Sequence, residues 1–320
     1  MGHSPIIAPL DFGVQIEPQY GFTYDQIRAV ARAAEGLGYE SIWVSDHLFL
    51  TPQTVETNCL ECYTVLTALA RDTGRLRLGA MVASQSYRNP ALLAKVVASL
   101  DHISGGRLNF GIGAGWKDVE YNAYGYPFPG PGVRIGQLDE ALEICRRMWT
   151  DDRASFKGKY YSIQEALCSP KPVQSPLPVW VGGTGDRTLR VSAKHADAVN
   201  FSWSHPPGFI EERLGMLRRH CRRLGRDPSE IRVSVGLMVV LDETREGVDA
   251  RLEQLRLSRD TEYMRYLSRQ KPNVSATPDE LAELLREYVS LGVDHFILRW
   301  HYGDELRSLR LFADRVMGRV

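Results

Sequence analysis

The feature that most constrains this chain is a strict alternation, from one end to the other, of short apolar runs and longer stretches with helical period. Phe12 to Ile16, Ser41 to Ser45, Leu76 to Ala83, Arg107 to Ile112, Pro178 to Val181, Ala198 to Phe201, Ile231 to Leu241 and Val293 to Arg299 read as strands. Between and after them, Tyr24 to Leu37, Cys62 to Asp72, Pro90 to Ser104, Val133 to Trp149, Arg187 to His195, Pro207 to Leu224, Pro278 to Leu291 and Asp304 to Val316 read as helices. Pro90 sits where proline is tolerated, in a first turn. Strands that alternate with helices demand right-handed crossovers and a parallel sheet. Eight such units in 320 residues predict an α/β fold of the closed (β/α)8 TIM-barrel type, the alternative being an open sheet of fewer strands with a small cap.

Two stretches exceed a minimal barrel, about 124–163 and about 243–277. The first carries Pro127, Pro129, Gly130, Pro131 and Gly132, and the second is rich in Arg, Gln and Ser. Insertions after strands fall on the catalytic face of a barrel, so both read either as substrate-covering lids or as surface and subunit-contact elaboration.

Charge narrows the partners. The 39 basic and 39 acidic residues cancel, which argues against a generic nucleic-acid or anionic-membrane binder. No stretch approaches the ~20 apolar residues of a membrane span. Cys59, Cys62, Cys145, Cys168 and Cys221 form an odd set without a secretory signal, the pattern of reduced thiols in a cytoplasmic protein.

In a barrel the carboxyl ends of the strands face the site. Asp46 and His47 end the second strand, and an adjacent acid and imidazole there can bind a polar ring edge and donate a proton near neutral pH. The plainer reading is a capping Asp beside a surface His. Gly182-Gly-Thr-Gly185 follows the fifth strand and opens a helix, where glycines let the backbone approach an anion and helix amides point at it. Ile112-Gly-Ala-Gly115 after the fourth strand has the same ambiguity between ligand cradle and simple turn. Cys59-x-x-Cys62 has the spacing of a redox pair or half a zinc site, but no second pair accompanies it, and a buried structural thiol is the better reading for Cys62. Glu17 and Glu61, near strand ends, are acid/base candidates, with a salt bridge or a helix cap as the alternative role for each. No carboxylate cluster suits a metal.

Taken together, Trp43-Val-Ser-Asp-His47, Leu78-Gly-Ala-Met-Val-Ala-Ser84 with Tyr87-Arg-Asn-Pro90, Ser104-Gly-Gly-Arg107, Gly111-Ile-Gly-Ala-Gly-Trp116, Tyr124-Gly-Tyr-Pro-Phe128, and Gly182-Gly-Thr-Gly185 with His195-Ala-Asp197 resemble the bacterial luciferase-like oxidoreductases, specifically the branch using the deazaflavin coenzyme F420. The resemblance covers most of Phe12 to Phe201 and thins to barrel rhythm beyond. It implies one barrel domain over 1–320, with the tricyclic ring at the strand carboxyl ends. Asp46 would then hydrogen-bond the cofactor, and His47 would act near the reactive ring as proton donor or polariser. It further implies a non-proline cis peptide joining Met81 to Val82, cofactor contacts at Ser84 and at the backbone of Ala114 and Gly115, and a phosphate held by Gly182, Gly183 and Gly185. A homodimer is implied as well.

One departure matters. Sugar-phosphate dehydrogenases of the family place a catalytic Glu directly after the Gly-x-Gly of the fourth strand, and here Trp116 stands there. An indole offers stacking area and no proton abstraction. The expectation is therefore a reductase passing hydride from F420 to a small unsaturated substrate (C=C, C=N or carbonyl), not oxidation of glucose 6-phosphate by that mechanism. An FMN-dependent monooxygenase is the alternative, and a non-catalytic flavin-binding protein a second one. The fold by itself does not choose the cofactor.

Overall fold

In the computed structural model, which describes residues 10–203, 205–257 and 274–320, the eight expected strands close into a parallel barrel. They are β1 (Asp11–Ile16), β2 (Ser41–Val44), β3 (Arg77–Ala80) with its continuation β4 (Ala83–Ser84), β5 (Leu108–Gly113), β8 (Val179–Gly182), β9 (Ala198–Phe201), β10 (Arg232–Leu241) and β12 (His295–Trp300). Each pairs in parallel with the next, and β12 returns to β1 through Asp11↔His295 to Val14↔Leu298. The single run expected from Leu76 to Ala83 is broken in two by a cis peptide between Met81 and Val82.

The surrounding helices start and stop where local chemistry dictates. Helix α1 (Tyr24–Gly36) opens on a reciprocal capping box between Thr23 and Gln26 and buries Ile27, Val30, Ala31 and Ala34 against the sheet. Helices α2 (Cys62–Asp72) and α3 (Pro90–Ser104) open on Glu61 and Asn89, whose side chains accept from first-turn amides.

Side chains alternate across a strand, so one in two points into the barrel. Barrel interiors are usually layered with branched aliphatics. Here two indoles, Trp43 and Trp180, fill much of that space with ring centroids 4.7 Å apart, beside Met81, Ala198 and Ile297. Gly79 makes this possible, because a Cβ on it would run into the six-membered ring of Trp43. At the amino-terminal mouth below the indoles, Arg232 bonds Asp294 Oδ1 at 2.9 Å and Asp11 Oδ2 at 2.6 Å, while Arg77 bonds Asn109 Oδ1 at 2.7 Å and Gln174 at 2.9 Å.

The two expected insertions resolve differently. After the short α4 (Asp118–Ala123), the helix inside 124–163 is α5 (Pro131–Thr150), which packs between α3 and α6 (Asp186–His195) as the barrel's own fourth helix. The genuine addition is an antiparallel hairpin, β6 (Ala154–Lys157) with β7 (Ser162–Ala166). It lies along α5, tied by Glu140 to the amides of Tyr160 and Tyr161 at 2.9 Å, and its tip reaches Gln85 through Tyr161. No residue from 124 to 163 lines the cavity, and of the two readings of this stretch its geometry is that of surface elaboration, a buttress along α5. Following α7 (Pro207–Leu224), the segment 243–277 forms α8 (Arg245–Leu257) and β11 (Val274–Ala276), which pairs with β10. The rest of that expected insertion lies outside the described residues. Helices α9 (Pro278–Ser290) and α10 (Glu305–Arg315) complete the ring, and no described helix is long and apolar enough to cross a membrane.

Candidate active site

A cavity of about 530 Å³ opens at the carboxyl ends of the strands, within the range of ligand pockets. Its walls bring together residues far apart in sequence: Glu17 and Gln19 after β1, Asp46 and His47 after β2, Ser84 from β4, Trp116 after β5, Gly182 and Gly183 at the end of β8, and Arg299 from β12.

His47 is held by a residue the sequence reading did not single out. Its Nδ1 lies 3.0 Å from Oε2 of Glu120, leaving Nε2 as the ring nitrogen available to the cavity. Glu120 is fully buried on α4 and collects four further donors: the amides of Leu48 at 2.8 Å and Phe49 at 3.2 Å, Tyr87 Oη at 2.8 Å, and Lys117 Nζ at 3.0 Å. Burial would raise the Glu120 carboxyl, but the His47 bond, the charges of His47 and Lys117 and the backbone amide outweigh it and push it down to about 2. Glu120 is thus a fixed anion that orients an imidazole, the second-partner logic of a catalytic histidine. Nothing local separated it from Asp118 on the same short helix.

Asp46 lines the cavity but is already heavily engaged. Arg88 grips both its oxygens, at 2.8 and 2.9 Å, and the Ser84 amide donates to it at 3.0 Å. Burial pushes its carboxyl up while the Arg88 charge and the Ser84 bond pull it back. The carboxylate clamps β4 to β2, which positions the Met81–Val82 wall. Ser84 also meets Tyr121 through its hydroxyl. Gly115, at φ +77°, leaves the room that Tyr121 Oη and Ser84 Oγ occupy. Ala114 lines the same side.

Glu17 faces the cavity 3.5 Å from Arg299, with Gln15 and Gln19 donating to it. Arg299 lies over the rings of Tyr20 and Trp203, 5.5 and 5.4 Å from their centroids, and its Nε has no hydrogen-bond partner. Glu61 does not line the cavity. Its oxygens cap α2 at the amides of Tyr63 and Thr64 and pair with Arg88. Burial acts to raise its carboxyl, yet the Thr64 bonds and Arg88 keep it below the usual range. Of the two roles the sequence leaves open to Glu61, its geometry is that of the helix cap.

Gly182 and Gly183 edge the cavity, Gly183 at φ +138°, while Gly185 stands just behind as the N-cap of α6 and is not part of the lining. Thr188, in the first turn of α6, joins them. Trp116, 70% exposed, stands edge-on to His47 with centroids 5.6 Å apart. A second non-proline cis peptide, Ser202–Trp203, unforeseen from sequence, shapes the opposite wall. The cysteines are free; Cys59 and Cys62 give their thiols to the carbonyls of His47 and Val44, and burial pushes Cys59 up to about 12. Among the described residues no group of three potential ligands suits a metal.

The luciferase-like monooxygenase family profile matches residues 6–273, and the chain belongs to that family. It is 27% identical over 335 residues to an F420-dependent glucose-6-phosphate dehydrogenase of Nakamurella multipartita, covering 98% of this chain and 97% of that one. It is 30% identical over 300 residues to the pyrimidine monooxygenase RutA of Stutzerimonas stutzeri, covering 91% and 81%. In three dimensions it is similar to an F420-dependent secondary alcohol dehydrogenase in complex with an F420–acetone adduct, with a TM-score of 0.84 at 19% identity over 97% and 98% of the two chains.

Proposed function

We propose that this protein is an F420-dependent oxidoreductase that moves a hydride between the deazaflavin and a small organic substrate, working as a reductase. The observation that carries the reading is His47 held by an anionic, fully buried Glu120 at the mouth of a cavity whose glycine edge suits a phosphate. The cavity fits such a cofactor. Side chains at Gly182 and Gly183 would collide with Val82 and Thr188, so the bare backbone there is required. The amides opening α6 point at an anion seated on them, and a buried guanidinium nitrogen stands without a partner.

The deazaflavin supplies a carbon-centred hydride and reacts poorly with oxygen. Everything else falls to this chain's side chains. Gly182, Gly183 and Gly185 with Thr188 would hold the phosphate, the Met81–Val82 wall and Ser84 would back the ring, and Ala114 and Gly115 would meet it through backbone. His47 presents Nε2 toward the substrate while Glu120 fixes the ring through Nδ1, so Nε2 is placed to pass a proton to the product. Trp116 offers an aromatic face for a planar, unsaturated substrate. Glu120 is no substitute for an acid directly after Gly115, because five donors hold its two oxygens.

A second reading is favoured by the 30% identity to a pyrimidine monooxygenase, namely FMN-dependent oxygenation in the same cavity. Titration of the apoprotein with F420 and, separately, FMN, followed by ring fluorescence, decides between them. Micromolar binding of F420 alone supports the reductase, and a preference for FMN with oxygen uptake replaces it. The reading includes a cytoplasmic homodimer, supported by the five free thiols and the family resemblance and tested by light scattering.

A further inference from the structure

Between the catalytic cavity and the amino-terminal mouth, the barrel is crossed by a line of buried polar side chains that the proposed chemistry does not use. Ser202, in the cavity wall, donates to Oδ1 of Asn200. Asn200 Nδ2 donates to Ser234 Oγ at 2.9 Å, and Ser234 Oγ lies 2.9 Å from Nδ1 of His295. His295 Nε2 lies 3.2 Å from Ser41 Oγ and 3.5 Å from the Glu40 carboxylate. Asn200, Ser234, Ser41 and His295 are all fully buried. The first two and His295 occupy register-matched inward positions on β9, β10 and β12.

The direction of this line is fixed at its lower end. Ser41 already accepts from Trp43 Nε1 at 2.8 Å. Burial would raise Glu40, but His295, Ser41 and Arg77 outweigh it, so the floor holds an anion. An anion and an accepting oxygen both face Nε2, which places a ring proton there. With that proton on Nε2, Nδ1 serves as the acceptor and Ser234 donates to it. The Ser234 oxygen takes its bond from the Asn200 amide, and the remaining Asn200 oxygen must take one from Ser202. A hydroxyl has one proton. With that proton directed inward, Ser202 shows the cavity only lone pairs.

We propose that Ser202 is an acceptor-only, selectivity-determining group, set in that state by Glu40 through His295, Ser234 and Asn200, and that it receives an O–H or N–H of the bound cofactor. Ser202 stands one strand from the glycine edge, since Asn200 is register-paired with Gly182. That places it beside the hydroxyl-bearing chain of a cofactor phosphate seated there. The proposal rests on the F420 reading for its probe, not for the hydrogen-bond line itself.

The test is a double-mutant cycle on affinity for oxidised F420, read by fluorescence, with FMN run in parallel. Ser202→Ala should weaken binding about 10-fold, the scale of one hydrogen bond to a ligand donor. Glu40→Gln touches no cavity residue yet should weaken binding several-fold, and Glu40→Asp should restore it. The double variant should bind no more weakly than Ser202→Ala alone. A Glu40→Gln variant that binds as wild type, or losses that add in the double variant, would overturn the proposal. If neither cofactor binds the wild type, the functional reading fails separately, and nitrogen-15 NMR of His295 judges the line. The proton on Nε2 in wild type, redistributed in Glu40→Gln, upholds it; a proton on Nδ1 in wild type overturns it.

Discussion

The two mouths of this barrel are built from opposite ends of the same strands, and they use buried charge differently. At the amino-terminal mouth the partners come from the strands or their edges: Arg232 with Asp11 and Asp294, Arg77 with Asn109, Glu40 with His295. At the carboxyl mouth the partners come from the loops and helices beyond the strand ends: Glu120 from α4 for His47, and Arg88 from the turn before α3 for Asp46. The guanidinium groups of the floor each find an acceptor. Above, His47 keeps Nε2 for the cavity, and the Arg299 Nε is buried without an acceptor. Strand ends give both mouths rigidity, but only partners carried on loops can hold a group firmly while leaving one of its atoms free for a ligand.

The largest expected break of this comparison is His47→Ala, which should lower turnover about 10²–10⁴-fold on a panel of activated alkenes, imines and ketones while leaving cofactor affinity nearly intact. Unchanged turnover between pH 5 and 8 would remove His47 from the mechanism. Glu120→Ala strikes the same group from behind. It strands Lys117 and should cost about 3–5 kcal/mol in denaturant unfolding, as loss of one partner of a buried pair does.

The pH dependence sharpens the point. Because Glu120 is depressed to about 2 in the folded chain, its contribution is fully present above its unfolded value of 4.5 and fades as pH falls from there through about 2. The stability gap between wild type and Glu120→Gln should narrow over that window in acid unfolding curves. Glu305, at the start of α10, behaves oppositely. Burial, only partly offset by the amides of Glu305 and Gly303, raises it to about 7. A carboxyl raised by folding favours the folded state when protonated, so stability falls as pH rises from 4.5 through 7. Glu305→Gln should therefore unfold later than wild type at pH 8, by ~2 kcal/mol or less, with the gap closing below pH 4.5.

Smaller again is Gly79→Ala between the mouths, where a methyl group meets Trp43 and overpacking costs about 1–3 kcal/mol with turnover per folded molecule preserved. If Gly79→Ala is neutral, the indole pair is not a rigid septum between the two mouths.

Much of the site was readable beforehand. Trp43-Val-Ser-Asp-His47 placed an acid and an imidazole at a strand end, and the structure lines the cavity with both. The Met81–Val82 cis peptide followed from family resemblance, and the glycine run after β8 from the demand for bare backbone beside an anion. Glu61 stays open between two roles in the sequence because a helix cap and a catalytic acid look alike there, both being an acid just ahead of an apolar helix. Glu120 was passed over because its importance comes from residues 33 to 73 positions away, among them Tyr87 and His47.

By itself, the order of apolar runs and helical periods determined the (β/α)8 barrel, because hydrophobic period and connection handedness are local rules that leave few topologies. It also determined which residues stand at strand ends. Only the tertiary structure decided which of those residues have a free atom. Closing the barrel brings Glu17 beside Arg299, Glu120 beneath His47, and Ser202 into line with Glu40. Hydrogen-bond partnership is a pairwise, short-range quantity, and between residues so distant in the chain no local pattern carries it.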